Sequence, residues 1–190
     1  MKVFRGLPND RARAPCALTI GNFDGVHLGH QALLARVRAS ATWLGIEAAV
    51  MTFEPHPREF FAERMGDASK APRRIANLRD KLESLANAGI DRVIVEHFNA
   101  HFASITPEDF TSRVLADGLH VKWLMVGEDF CYGAKRAGNV DMLKEAGRRH
   151  GFEVETLPTV MHGAHRISSS AVRNALDSGD LATARQLLGH

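Results

Sequence analysis

His27 and His30 stand three residues apart in Gly21-Asn22-Phe23-Asp24-Gly25-Val26-His27-Leu28-Gly29-His30, a stretch that leaves an apolar run and enters a segment of helical period. Glycine lets backbone come close to a ligand, and a helix N-terminus offers unpaired N–H groups and the positive end of its dipole. Phosphate suits such a turn. With both histidines at the helix start, their rings can point to one side and donate hydrogen bonds to phosphoryl oxygens. Two other readings stand beside this one: a capped, solvated helix end, and a zinc pair with Asp24, for which a further ligand is missing nearby. The chain has no Walker A sequence and no G-x-G-x-x-G.

Three more segments concentrate chemistry. Thr52-Phe53-Glu54-Pro55-His56-Pro57-Arg58-Glu59-Phe60-Phe61 is stiffened by two prolines, and its three phenylalanines offer a flat face to a planar ring, or to the core. Val126 to Asn139 combines glycines, acids, the aromatics Phe130 and Tyr132, and the cations Lys135 and Arg136. In Arg166-Ile167-Ser168-Ser169-Ser170-Ala171-Val172-Arg173 the hydroxyls can cap a helix, and Arg173, one turn further on, can fold back toward whatever the serines hold. A triphosphate would satisfy both.

The elements that must position these segments follow from periodicity. Val- and Ile-rich runs at Ala17–Gly21, Glu47–Phe53, Arg92–Glu96, Val121–Val126 and Glu153–Leu157 read as strands. Between them, Leu33, Leu34, Val37, Ala41 and Leu44 mark a helix stopped by Gly45, and Leu78, Leu82 and Leu85 a second ending at Gly89. Pro107, Phe110, Val114 and Leu115 mark a third capped by Thr106. Asn139–His150 reads as a fourth, and the tail from Ser168 to Leu188 as two short helices broken near Gly179. The alternation predicts an α/β fold with a parallel sheet, which binds ligands at the carboxyl ends of its strands, where the chemistry-bearing loops lie. Residues 55–74, with little apolar period, are expected to form a long loop or lid.

Composition narrows the classes. A chain of 190 residues, 45% apolar, can bury one good core, and a formal charge of +2 with alternating signs argues against a nucleic-acid or membrane surface. Cys16 and Cys131 are far apart and suggest neither a disulfide framework nor a zinc site. No run approaches the roughly 20 apolar residues of a membrane span, and residues 1–14 lack the apolar stretch of a signal peptide, so a cytoplasmic protein is expected.

Together, in order from about Cys16 to Leu188, the four segments resemble the N-terminal adenylyltransferase module of bacterial riboflavin kinase/FMN adenylyltransferases, the FAD synthetases. The resemblance implies a Rossmann-like nucleotidyltransferase fold, with helices on both faces of the sheet, that moves AMP from Mg2+-bound ATP to FMN, giving FAD and pyrophosphate. It implies His27 and His30 at the α-phosphate, Arg173 with Ser169 and Ser170 at the β and γ phosphates, and Gly21, Asn22, Phe23, Asp24, Gly29 and Arg166 along the nucleotide. Phe53, Pro55, His56, Pro57, Phe61, Asp129 and Tyr132 would hold the flavin. No protein ligand to the metal is assigned, since magnesium is expected to bridge phosphates. The fold is expected to survive removal of Arg173.

Cys131 and Tyr132 depart from the basic or polar residue and Phe usual in the family, as does Ser170 from its frequent Thr. Other readings kept open are a different transferase of the same superfamily, a nucleotide-binding module without turnover, and a metal-dependent hydrolase built on His27, His30 and Asp24. Such family members normally continue into a riboflavin kinase barrel, so two expectations stand side by side, an isolated module or part of a longer protein that carries such a kinase domain, while residues 1–190 are expected to form a single adenylyltransferase domain without it. With riboflavin, ATP and magnesium, chromatography is then expected to show neither FMN nor FAD.

Overall fold

The computed structural model describes residues 1–162 and 165–189. In chain order the elements are β1 (Lys2–Arg5), β2 (Cys16–Ile20), α1 (Leu28–Leu44), β3 (Glu47–Glu54), α2 (Pro57–Arg64), α3 (Leu78–Asn87), β4 (Arg92–His97), α4 (Ala100–Ala103) and α5 (Pro107–Asp109). The last runs on as a π-helix, Phe110–Gly118, and is followed by β5 (Val121–Gly127), α6 (Val140–His150), β6 (Glu153–Leu157), β7 (Met161–His162), β8 (His165–Arg166), α7 (Ser169–Asp177) and α8 (Leu181–Leu188). Strands β7 and β8 pair antiparallel with each other.

The main sheet has the order β1-β4-β3-β2-β5-β6, with every pair parallel. From β2 the chain steps outward through β3 to β4, then returns to the other side of β2 for β5 and β6. The reversal opens a crevice at the carboxyl ends of β2 and β5, where ligands bind in sheets of this kind.

Both faces of the sheet are covered, and the strands record it residue by residue. Leu18 and Ile20 of β2, Met51 of β3 and Ile94 of β4 join Phe110, Leu115 and Leu143 in one core. Their neighbours Ala17, Val50, Val93 and Val95 pack with Leu34 and Val37 of α1 and Leu85 of α3 in the other. A strand apolar on both faces reads as an unbroken apolar run, which is why these strands were legible.

The structure departs from the sequence reading in several places. Residues 55–74 are not one long loop: Pro57–Arg64 is helical, and Ala68–Lys70 forms a 3-10 turn. Helix α2 buries only Ala62, so it leaves no apolar period, and its start is fixed by a capping box between His56 and Glu59 with Pro57 in the first turn. Strand β1 went unread because it is a four-residue edge strand without buried residues. The helix begun at Pro107 has its Thr106 cap but is mostly π-helical. Helix α4 and the β7–β8 pair are too short to carry a period.

Candidate active site

The loop after β2 is held in an unusual shape. Phe23 and Val26, neither a glycine, take positive φ of 49° and 39°, strain of the kind that accumulates at functional sites. Phe23 is buried, its ring centroid 4.9 Å from that of His30. His27 caps α1: its Nδ1 accepts the His30 backbone N–H at 3.3 Å. The proton of a neutral His27 therefore sits on Nε2, which remains a donor. The two imidazoles stack with centroids 3.7 Å apart, at 18°. A Cβ on Gly29 would stand 3.2 Å from the His27 ring, so this glycine makes room for the histidine's own fold-back.

Both rings are kept neutral. Burial pushes His27 down to about 4, and burial, then the neighbouring His27 and Lys81, holds His30 well below its ordinary range. His30 Nδ1 is buried with no hydrogen-bond partner among the described residues. The pair offers hydrogen bonds to an anion, not positive charge.

Asp24 is nearly sealed from solvent. Its carboxylate accepts the backbone N–H groups of Ile75 (3.0 Å) and Ala76 (3.1 Å) and pairs with Arg173 Nη2 at 2.6 Å. Arg173 Nε in turn donates to the Arg73 carbonyl at 2.7 Å. Ser168 Oγ caps α7 by accepting from Ala171 N, Ser169 Oγ donates to the Asp24 carbonyl at 3.2 Å, and Ser170 is exposed. One carboxylate thus joins the β2 loop, the strap ahead of α3 and the start of α7. The histidine loop and the serine helix meet although 145 residues separate Asp24 from Ser169.

Beside this junction lies a cavity of about 690 Å3, floored by Ile20, Gly21 and Asn22 at the end of β2. Phe53, His56, Pro57 and Phe61 line one wall, with Asp129 and Tyr132 on another. Six of the seven residues expected at a flavin meet here. Pro55 does not line the cavity. His56 Nδ1 accepts the Arg58 N–H at 3.0 Å, and burial pushes this imidazole down to about 4 as well. Asp129 and Arg166, expected at different ligands, form an exposed ion pair at 2.7 Å that holds the Asp129 carboxyl below its ordinary range.

The cavity also contains residues the sequence reading passed over. Phe98 and Phe102 follow β4, and the Phe98 ring meets Phe53, Phe60, Phe61 and Phe102 edge-on at 5.5–5.8 Å. Their one signal in the sequence was their place after the carboxyl end of β4. Phe130, Lys135 and Arg136, singled out in the sequence as part of a chemistry-bearing loop but assigned to no ligand, also line the cavity; they come from the loop after β5, where Lys135 and Arg136 take positive φ of 54° and 58°.

The model for FAD synthetase matches residues 9–171. The chain belongs to the FAD synthetase family. It is 45% identical over 193 aligned residues to the bifunctional riboflavin kinase/FMN adenylyltransferase of Escherichia coli (strain K12), and 47% over 190 to that of Haemophilus influenzae (strain ATCC 51907 / DSM 11121 / KW20 / Rd). Each match takes in 100% of this chain and 60% of the relative, so this FAD synthetase family member spans about three fifths of the length of the curated relatives it matches. Among solved structures, a macrolide-efflux protein from Streptococcus pneumoniae has a TM-score of 0.82 and 24% identity, covering 100% of this chain and 62% of that one. Pantothenate synthetase from Thermus thermophilus has a TM-score of 0.54 and 14% identity, covering 99% and 82%. These structures speak to the fold, which is α/β with a Rossmann-type parallel sheet.

Two outcomes follow from this geometry. Removing Arg173 leaves Asp24 as a buried charge without its cation, so Arg173→Ala should destabilise the protein by about 3 to 5 kcal/mol even where the fold survives. Urea unfolding measures it, and an unchanged midpoint would show that Asp24 is otherwise satisfied. The second concerns pH. His27 and His56 resist protonation in the folded chain, while the unfolded chain accepts protons near 6.5. Stability should therefore be full above about pH 6.5 and fall as pH drops toward 4. Glu59, whose carboxyl is lowered chiefly by its hydrogen bond from Arg74, adds a loss only below about 4.5. Urea midpoints between pH 7.5 and 5 should fall in the parent and less in the double variant His27→Gln/His56→Gln, in which His30 still contributes; parallel curves would dismiss His27 and His56 as a cause.

Proposed function

We propose that this chain is an FMN adenylyltransferase that forms FAD by direct in-line transfer. An FMN phosphate oxygen attacks the α-phosphorus of ATP, the bond from that phosphorus to the oxygen bridging to the β-phosphate breaks, and pyrophosphate leaves. The single observation that carries this reading is the sharing of Gly21 and Asn22: the loop that leads to His27 and His30 is also the floor of an aromatic cavity large enough for a planar ring system. A flavin ring in the cavity has its phosphate tail beside the helix start.

No covalent step falls to the protein, so its work is positioning and electrostatic stabilisation. His27 and His30 act as neutral donors to oxygens of the α-phosphate. Arg173, Ser169 and Ser170 hold the β and γ phosphates, while Ser168 stays with its cap. Gly21, Asn22 and Phe23 lie along the nucleotide with Gly29, and Asp24 acts through Arg173. Arg166 guards the nucleotide side and Asp129 the flavin side of their shared ion pair. Phe53, His56, Pro57, Phe61 and Tyr132 wall the flavin, and Pro55 shapes the strand exit from outside the wall.

Magnesium comes with ATP as part of the substrate. Bridging phosphates, as this ion usually does, it would take few ligands from the protein. The activity belongs in the cytoplasm, where ATP is spent, and is the second of the two named for the bifunctional relatives. A riboflavin kinase domain is its natural partner in a longer parent chain.

Incubated with FMN, ATP and magnesium, the protein should yield FAD and pyrophosphate in equal amounts by chromatography. No FAD would leave a binding module without turnover. Phe61→Ala tests the flavin wall: a lost aromatic contact should weaken FMN binding by about 0.5 to 1.5 kcal/mol beyond the lost area, with ATP binding nearly unchanged. Calorimetric titration that shows equal losses for both ligands would assign Phe61 to the fold.

A further inference from the structure

Lys81 occupies a core position. It is one of two buried residues of α3, the other being Leu85 one turn on, and it is only 3% exposed. Among the described residues its ammonium has one hydrogen-bond partner, Thr52 Oγ1 at 3.4 Å, although an ammonium carries three donors. Thr52 is fully buried on β3, and its hydroxyl donates to the Asn22 carbonyl at 3.2 Å. A chain of two bonds thus runs from Lys81 to the loop that carries the histidines and floors the cavity.

Acids surround this ammonium, but each is engaged elsewhere. Burial draws the Lys81 ammonium below its ordinary range, and Glu54, Asp24 and Glu59 act against that shift while Arg74 adds to it. Asp24 is bound by Arg173 and two backbone amides. Glu54 and Glu59 are both held by Arg74, at 2.7 Å from Nη1 and 2.6 Å from Nε. None comes within ion-pair distance of Lys81 among the described residues. A buried charge so poorly paired costs stability, and a hydrophobic residue of similar length would fit α3 better. His30 and His56 both feel the Lys81 charge, so it lies within electrostatic reach of the phosphate end.

We propose that Lys81 is a positioning residue of the nucleotidyl-transfer site: it steadies the Gly21–Asp24 loop through Thr52 and adds a fixed positive charge beneath the place where phosphate charge develops. The inference rests on the adenylyltransferase reading. Its energetic logic is that of a site built for an anion that arrives with the substrate: the ammonium is unfavourable in the empty protein and favourable when phosphates lie above it.

Two variants separate its parts. Lys81→Gln keeps an N–H for Thr52 and removes the charge, whereas Lys81→Met keeps the length and removes both. Wild type forming FAD is the control that carries the adenylyltransferase reading itself; if it forms none, that reading fails, whatever Lys81 does. With an active wild type, Lys81→Gln, which loses only the charge, should lose kcat by about tenfold, and Lys81→Met, which also loses the bond to Thr52, by up to about a hundredfold; both are less than the hundred- to thousandfold typical of a lost direct donor, with the KM for ATP little changed. Their thermal midpoints should be equal to or above that of wild type. Full kcat in Lys81→Gln, full kcat in both, or a kcat loss accompanied by a lowered midpoint would each overturn the proposal.

Discussion

The Asp24 carboxylate is the fixed point of the site. It is buried, takes two backbone amides from one segment and a guanidinium from another, and so binds together three stretches of chain with no sequence proximity. A buried carboxylate is tolerated only when its charge and lone pairs are answered, which makes the arrangement nearly all-or-none. The turn at Phe23 and Val26 is strained, and a strained turn persists only where its surroundings over-determine it. Asp24 provides that restraint between them. Ser169 closes the same junction from α7 by bonding to the Asp24 carbonyl.

Sheet topology explains why the two halves of the site adjoin. The return of the chain from β4 to β5 leaves the carboxyl ends of β2 and β5 uncovered by a direct crossover, and the loops there can reach ligand from both sides. The loop after β3 comes in next to β2, bringing α2 with Phe60 and Phe61. The loop after β4 adds Phe98 and Phe102 from one strand further out. The aromatic wall is therefore a product of strand order, each strand contributing the residues at its own exit.

Much of this was legible in sequence because chemistry and periodicity spoke separately. Five of the six strands of the main sheet, β2 to β6, were read from their runs, and the loops announced themselves by residues a plain turn does not need, such as His27, His30 and Ser168 to Ser170. What stayed hidden were partnerships. Nothing in the sequence says that Asp24 answers Arg173, 149 residues away, or that Arg166 reaches across to Asp129. Lys81 drew no notice in the sequence, since a buried lysine has no periodic signature. Helix α2 was missed because its stability lies in a cap and a proline, local devices that an apolar count ignores. Phe98 was missed for a different reason: followed by Asn99 and Ala100, it has no glycine or serine cluster beside it to set its loop apart from an ordinary strand exit.

If the site takes a triphosphate, as proposed, neutral histidines raise the question of where positive charge for it comes from. His27 spends Nδ1 on its own helix, and both rings are held uncharged by burial, so neither balances phosphate charge near neutral pH. Arg173 brings a guanidinium to the junction of the histidine loop and α7, and it is already paired. Pairing does not exhaust it, because a guanidinium has five N–H donors. Nε is given to the Arg73 carbonyl and one Nη2 hydrogen to Asp24, which leaves three for a ligand. Arg173 can therefore grip a phosphate without releasing Asp24, its direction set by a carboxylate that cannot move. The ion pair that looks like a competitor for the cation is what aims it.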